Sequence, residues 1–441
     1  MPPPPSQTRV PGPFQEPFLA APTTSFELHP SFGFTEEYTD NFTLSSRGRT
    51  DNFRSSLNTG LSLLINRPRT KGTVSGNLRA SQDSATGQAD YQIFPTLNGS
   101  VRHTFDPRLS LTVTDSFTRS DEPSQGDQGG LRRERRTFTS NSFSLSVDWL
   151  LDLIATQSYY RNSVFFGGAD TTSHILGFNA TTRLGALMSL TGGYEYSLRE
   201  TSGGTSSAAT GTTTTSRGAS TESTSHRVLG SLSRQVGQFG SAGLSSSYSM
   251  NSTGDNDSRT WNISVFTAYG LPTGLSLSSS LGYSLLDSDQ GDTFSTVSTN
   301  TNASYRFVRA AISLGVFQDF RETAEEGQDF GIVVTRTLTG TFTYQLTPFI
   351  NTHLRASYSR NEPTGSGNSA SSQASAAFTT GAGLSWQALR WLSMTLDYTH
   401  TERSTDNSRT LTSGNSSTAS SSSAPSDVSE NRAFLSLSAS F

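Results

Sequence analysis

The chain has 441 residues, of which 32% are hydrophobic and 15% charged, with a mean hydropathy of -0.43, a formal net charge of -4 and no cysteine. That length would ordinarily mean two or three globular domains, but so little apolar material, set among Ser, Thr, Gly and Asn, is poor stock for a large dry core, while 27 Phe, 13 Tyr and 4 Trp are too many for a solvated coil. No global basic field points to nucleic acid as a partner, and the lack of cysteine fits a chain that crosses an oxidising space without disulfides.

The chain opens on MPPPPSQTRVPGPFQEPF, which has no apolar core of the kind a secretory signal needs. Residues 1–23 read as an extended, Pro-rich tail on the periplasmic side. From residue 24 to Phe441 the sequence alternates. The alternation predicts strands at 24–36, 53–66, 71–82, 89–105, 108–119, 136–150, 153–165, 172–184, 187–200, 225–236, 241–251, 258–270, 274–286, 294–308, 310–322, 330–345, 350–361, 373–387, 391–402 and 430–441. RLSLTVT sets Leu109, Leu111 and Val113 against Ser110, Thr112 and Thr114; WLSMTLDYTH sets Leu392, Met394, Leu396 and Tyr398 against Ser393, Thr395, Asp397 and Thr399. A period of two means one apolar and one polar face. The most apolar run, WLLDLIA from Trp149 to Ala155, is far short of the ~20 residues with which a helix spans hydrocarbon.

A soluble sandwich alternates as well. Three features favour one closed antiparallel transmembrane β-barrel over 24–441, all-β, with about 20 strands (roughly 18 to 22). The strands are long against a soluble mode of about five or six residues. The polar face is Ser, Thr, Asn and Gly, with lysine nearly absent, unlike a water-facing surface. Connections alternate between tight (105–109, 236–240, 271–274, 346–349, 388–391) and loose (120–135, 201–222, 286–293, 362–372, 403–428), the pattern of short periplasmic turns and long outer loops in a bacterial outer-membrane barrel.

The chain closes on AFLSLSASF, inside a strand. Leu435, Leu437, Ala439 and Phe441 fall on one face, with serines between them. In a barrel the last strand pairs with the first, so no edge is left. This ending resembles the C-terminal assembly signal of bacterial outer-membrane barrels. It implies the barrel-assembly machinery as a partner, besides outer-membrane lipid and lipopolysaccharide.

Tyr38, Trp149, Tyr159, Tyr160, Trp261, Tyr283, Tyr305, Tyr344, Trp386, Trp391 and Tyr398 are candidates for interfacial girdles, where an apolar ring with a polar tip sits at headgroup level. On the serine face the alternation points Arg54, Arg79, Arg102, Arg183, Arg199, Arg227, Arg306 and Arg355 inward, against Glu27, Asp148, Glu195, Asp319 and Asp397. Inward arginines can select anions, or pair with inward carboxylates and stiffen the wall. LRRERR, Leu131–Arg136, is a separate basic cluster in an outer loop, able to hold phosphates of lipopolysaccharide or an anionic polymer, or simply solvated. The six histidines lie on separate strands with no HExxH, and no G-x-S-x-G or Walker loop occurs, so no metal, cofactor or catalytic group is expected.

FGFTEEYTDNFTLSS, Phe32 to Ser46, resembles the first hairpin of the outer-membrane barrels found with exopolysaccharide and PEP-CTERM sorting loci. Glu36, Glu37, Tyr38, Thr39, Asp40 and Asn41 carry the likeness, with Phe42 where a smaller aliphatic is usual. The resemblance implies a polysaccharide-associated barrel. Three functions are open: a porin-like channel for small solutes or secreted exopolysaccharide, a non-conducting structural or adhesin-like barrel, and an outer-membrane enzyme. Size favours the channel, because barrels of about 16–18 strands already leave an aqueous lumen. The roughly 23 residues ahead of the first strand are expected to be too few for the folded plug that 22-stranded transporters carry.

Overall fold

The structure is a computed structural model that describes residues 25–44, 48–85, 91–121, 137–167, 170–202, 221–253, 256–289, 293–325, 328–364, 374–406 and 427–441. The Pro-rich tail over 1–23 and the LRRERR cluster lie outside the described residues. Twenty strands follow in chain order: β1 Ser25–Thr39, β2 Asn52–Asn66, β3 Thr70–Asp83, β4 Gln92–Asp106, β5 Leu109–Ser120, β6 Phe138–Leu151, β7 Ile154–Phe166, β8 Asp170–Leu184, β9 Met188–Ser202, β10 Thr221–Val236, β11 Gly240–Thr253, β12 Asn256–Gly270, β13 Leu275–Ser288, β14 Thr293–Arg306, β15 Ala310–Glu325, β16 Gln328–Thr347, β17 Ile350–Pro363, β18 Ala374–Leu389, β19 Leu392–Asp406 and β20 Val428–Ser440. Each pairs antiparallel with its sequence neighbours. β1 pairs with both β2 and β20, so the sheet closes on itself. This is the all-β closed barrel that the alternation predicts, with the ends of several strands lengthened; β1 runs to Thr39 because it has β2 on one side and β20 on the other.

Closure gives the two faces opposite environments. Phe26, Leu28, Phe32 and Phe34 on β1, Phe53, Leu57 and Leu61 on β2, and Leu277, Leu281 and Tyr283 on β13 point outward, and most of them stay exposed. Their neighbours in sequence, mostly Ser, Thr, Asn and Gly, point inward. An exposed apolar wall of this extent is intolerable in water and is what a bilayer covers. At one rim the connections are short: 67–69, 107–108, 152–153, 185–187, 237–239, 271–274, 307–309, 348–349 and 390–391. The other rim carries the long connections 40–51, 84–91, 121–137, 203–220, 364–373 and 407–427, together with four short ones, 167–169, 254–255, 289–292 and 326–327. Both ends of the strand series lie at the short-turn, periplasmic rim.

Of the aromatic girdle candidates, Trp149, Tyr305, Tyr344, Trp386 and Trp391 gather near the short-turn rim, facing outward or in the turns. Tyr159 does not belong with them. Its ladder partners are Ser146 and Gly177, on the inward face, and its hydroxyl donates to Glu195 Oε2 at 2.6 Å. Adjacent Tyr159 and Tyr160 must face opposite ways in a strand, and it is Tyr160 that faces out.

Candidate functional site

The inward face is the candidate site. A concave wall lets a side chain reach over its neighbour to the next strand but one. Asn262 on β12 donates to Ser284 Oγ on β13 at 2.6 Å and to Ser298 Oγ on β14 at 2.9 Å. Glycines make room for longer reaches. A Cβ on Gly177 of β8 would collide with the Tyr159 ring, which crosses it to meet Glu195 on β9. A Cβ on Gly383 of β18 would collide with both His353 and Asp397, and across this glycine His353 Nε2 and Asp397 Oδ1 approach to 2.9 Å. Gly381 likewise underlies Arg355, whose Nη2 donates to Thr399 Oγ1 at 2.7 Å.

The ladder registers put the eight arginines and five carboxylates expected inward on this face. Arg54 is buried near the outer rim. Its Nε and Nη2 form a fork on Asp83 at 2.8 and 2.7 Å, and its Nη1 and Nη2 meet Asp121 just beyond β5. Asn52 Nδ2 donates to Asp83 Oδ1 at 2.7 Å, and Arg79 reaches Asp121 at 3.4 Å while lying over the Phe94 ring. Arg102 donates to Ser110 Oγ at 2.9 Å and stands 3.7 Å from Asp148. Glu27 lies 3.6 Å from His29, and Asp319 accepts from Ser284 Oγ at 2.8 Å. Arg227 is the ladder partner of Glu195. Arg183 and Arg306 sit at the periplasmic mouth, and Arg199 is towards the outer end of β9.

Further charges that strand patterns alone did not single out lie on this face, among them Arg161, stacked on Tyr159 at 4.7 Å, and Arg432, whose Nε and Nη2 donate to Glu37 Oε1 at 3.0 and 2.5 Å. Arg432 belongs to a clasp across the β1/β20 seam. Thr39 Oγ1 donates to Glu430 Oε1 at 3.1 Å, Asp40 accepts from the Asn431 backbone N–H at 2.7 Å and its Nδ2 at 2.6 Å, and Asn41 Nδ2 donates to the Ser429 carbonyl at 2.9 Å. Thus Glu37, Thr39, Asp40 and Asn41 of the EEYTDN stretch fasten the first strand to the last, and Tyr38 packs outside against Phe53. At the opposite end of the seam, Leu435, Leu437 and Ala439 face outward. Phe441 donates its N–H to the Pro30 carbonyl at 3.1 Å and stacks on Trp391 with centroids 5.7 Å apart. Among the described residues no three His, Cys, Asp or Glu side chains gather as metal ligands.

A closed antiparallel barrel with an apolar exterior, a hydroxyl-rich interior and one rim of short turns is an outer-membrane β-barrel. No family model matches the chain, and no curated protein matches it. Among solved structures, the siderophore receptor PirA of Pseudomonas aeruginosa is similar with a TM-score of 0.52 at 11% identity, over 95% of this chain and 81% of that one. A mutant of the ferric enterobactin receptor PfeA of the same organism, in complex with enterobactin, gives 0.51 at 12% identity over 95% and 82% of the two chains. The FrpB iron transporter of Neisseria meningitidis gives 0.50 at 11% over 94% and 82%. At these identities the likeness is one of fold.

Proposed function

We propose that the barrel is a water-filled passage through the outer membrane with a weak preference for anions. One observation carries this reading: among the described residues, Arg161, Arg183, Arg227, Arg306 and Arg355 lie on the inward face with no carboxylate at ion-pair distance. Arg54 and Arg79 are taken up by Asp83 and Asp121 and Arg432 by Glu37, while among the described residues Glu27, Glu195, Asp319 and Asp397 are inward carboxylates with no guanidinium at ion-pair distance, so the inward excess of positive charge is small. Guanidiniums without a carboxylate at ion-pair distance along a polar wall attract anions, and in a wide lumen the field is screened beyond about 8 Å at physiological salt, so selectivity is weak. The iron and siderophore receptors of the same fold are consistent with passage of solute as the task of such a wall.

A conduit for exopolysaccharide is the second reading. The Ser, Thr and Asn lining offers hydroxyl and amide partners to sugar hydroxyls, and the EEYTDN stretch supports it through its family resemblance. Swelling of proteoliposomes in iso-osmotic sugars separates the readings. Swelling in a monosaccharide and in a neutral tetrasaccharide alike fits a polymer conduit, whereas a cut-off between the two fits a small-solute passage. No swelling in either would favour a structural or adhesin-like barrel.

A further inference from the structure

The wall is not continuous. The β14–β15 ladder runs from Arg306↔Ala311 to Thr299↔Gln318 and stops there, leaving Thr293–Ser298 of β14 without a partner in β15 among the described residues. Both strands continue, β14 on β13 and β15 on β16, so neither has frayed. Beyond Gln318, β15 comes within reach of β13, where Asp319 meets Ser284 on the inward face. Side chains replace the ladder: Gln318 Nε2 donates to Thr296 Oγ1 at 3.0 Å, Ser284 Oγ donates to Asp319 Oδ1 at 2.8 Å, and the Phe320 N–H is capped by Asp319 Oδ1 at 2.8 Å. A strand crosses the bilayer in ~9–11 residues. Counted up from the periplasmic turn after Arg306, the parting therefore lies in the outer half of the wall.

We propose that the parting of β14 from β15 is a lateral opening that takes an acyl-chain amphiphile from the outer leaflet. Two features select such an occupant. The free edge of β14 presents backbone donors and acceptors that hydrocarbon alone cannot satisfy, at several kcal/mol per group, so the occupant carries amide or hydroxyl groups. Just inside, Leu286 and Phe294 face each other across the β13–β14 ladder on the inward face, with Leu286 buried. Phe294, only partly covered, offers an apolar seat over the buried Leu286 on a wall that is mainly Ser, Thr, Asn and Gly. Lipopolysaccharide, with amide-linked and hydroxylated acyl chains, has this chemistry and is the occupant proposed. The inference is independent of conductance and of anion preference.

The test places a photoreactive p-benzoylphenylalanine at Phe294 and, in a second variant, at Ser280, which is inward on β13 at a level where the ladder is intact. Each is illuminated in outer membranes. Phe294 should give an adduct with the mass of lipopolysaccharide and Ser280 should give none; a phospholipid adduct at Phe294 would overturn the choice of occupant. Because the chain has no cysteine, Val297→Cys with Phe320→Cys can lock the parting; continued in register, these two positions would be partners. Oxidation should abolish the Phe294 adduct and reduction restore it. Equal lipid adducts at both positions, none at Phe294, or an adduct to another protein chain there would each overturn the proposal. The comparison of the two photoreactive positions decides even where the lock does not form.

Discussion

Arg54→Met should lower markedly the temperature at which the unboiled barrel loses its anomalous gel migration. The Arg54 side chain is 2% exposed, with Asp83 at 5% and Asp121 at 10%. Methionine fills much of the space but strands two carboxylates in a buried site. Removing one partner of a buried ion pair costs about 3–5 kcal/mol, mostly through the charge left behind. Arg54→Met combined with Asp83→Asn should therefore regain part of the loss, since Asp121 keeps Arg79. If the single variant melts like the parent, the outer-rim network is hydrated and does not hold the wall.

Phe441→Asp should leave most of the chain missing from the outer membrane, while Phe441→Tyr should assemble normally. The direct cost is small, because a charge on the lipid face costs ~2–4 kcal/mol at the midplane and only ~0–1 near the interface. Phe441 stands at the periplasmic rim, stacked on Trp391. A large assembly defect would therefore report recognition of the terminal residue rather than lost packing. Trp391→Ala separates the two. It removes the stacking and should leave surface levels nearly unchanged; an equal defect in Trp391→Ala would assign the effect to the contact.

Strand positions were legible because period-two alternation runs almost unbroken from β1 to β20, and a one-residue slip would turn every serine outward. Side-chain partners were less so. Arg54 was legible as inward, but its partners sit at the end of β3 and beyond β5, where alternation fades into loop. The clasp of Asp40 on Asn431 joins residues 391 positions apart and follows only from closure. Tyr159 shows the limit within one strand: two adjacent tyrosines look equally suited to a girdle, and once Tyr159 is taken as outward, Arg161, two residues on, is lost from the inward set. The His353–Asp397 pair depends on Gly383 between them, a residue that reads as ordinary filler in a Gly-rich strand. The β14–β15 parting leaves no mark in the alternation, which continues through Val297 and Phe320 as though the ladder did too.

The reversal potential across a planar bilayer under a salt gradient tests the proposed passage most directly. Purified barrel should conduct, with a reversal potential of the sign that marks weak anion preference and a magnitude that shrinks as the salt on both sides rises. Arg161→Ser with Arg227→Ser should move it towards zero, whereas Arg54→Met combined with Asp83→Asn, if folded, should move it little, since a paired cation and anion are removed together and the net inward charge is unchanged. Absence of conductance, or a cation preference in the unaltered barrel, would contradict the account.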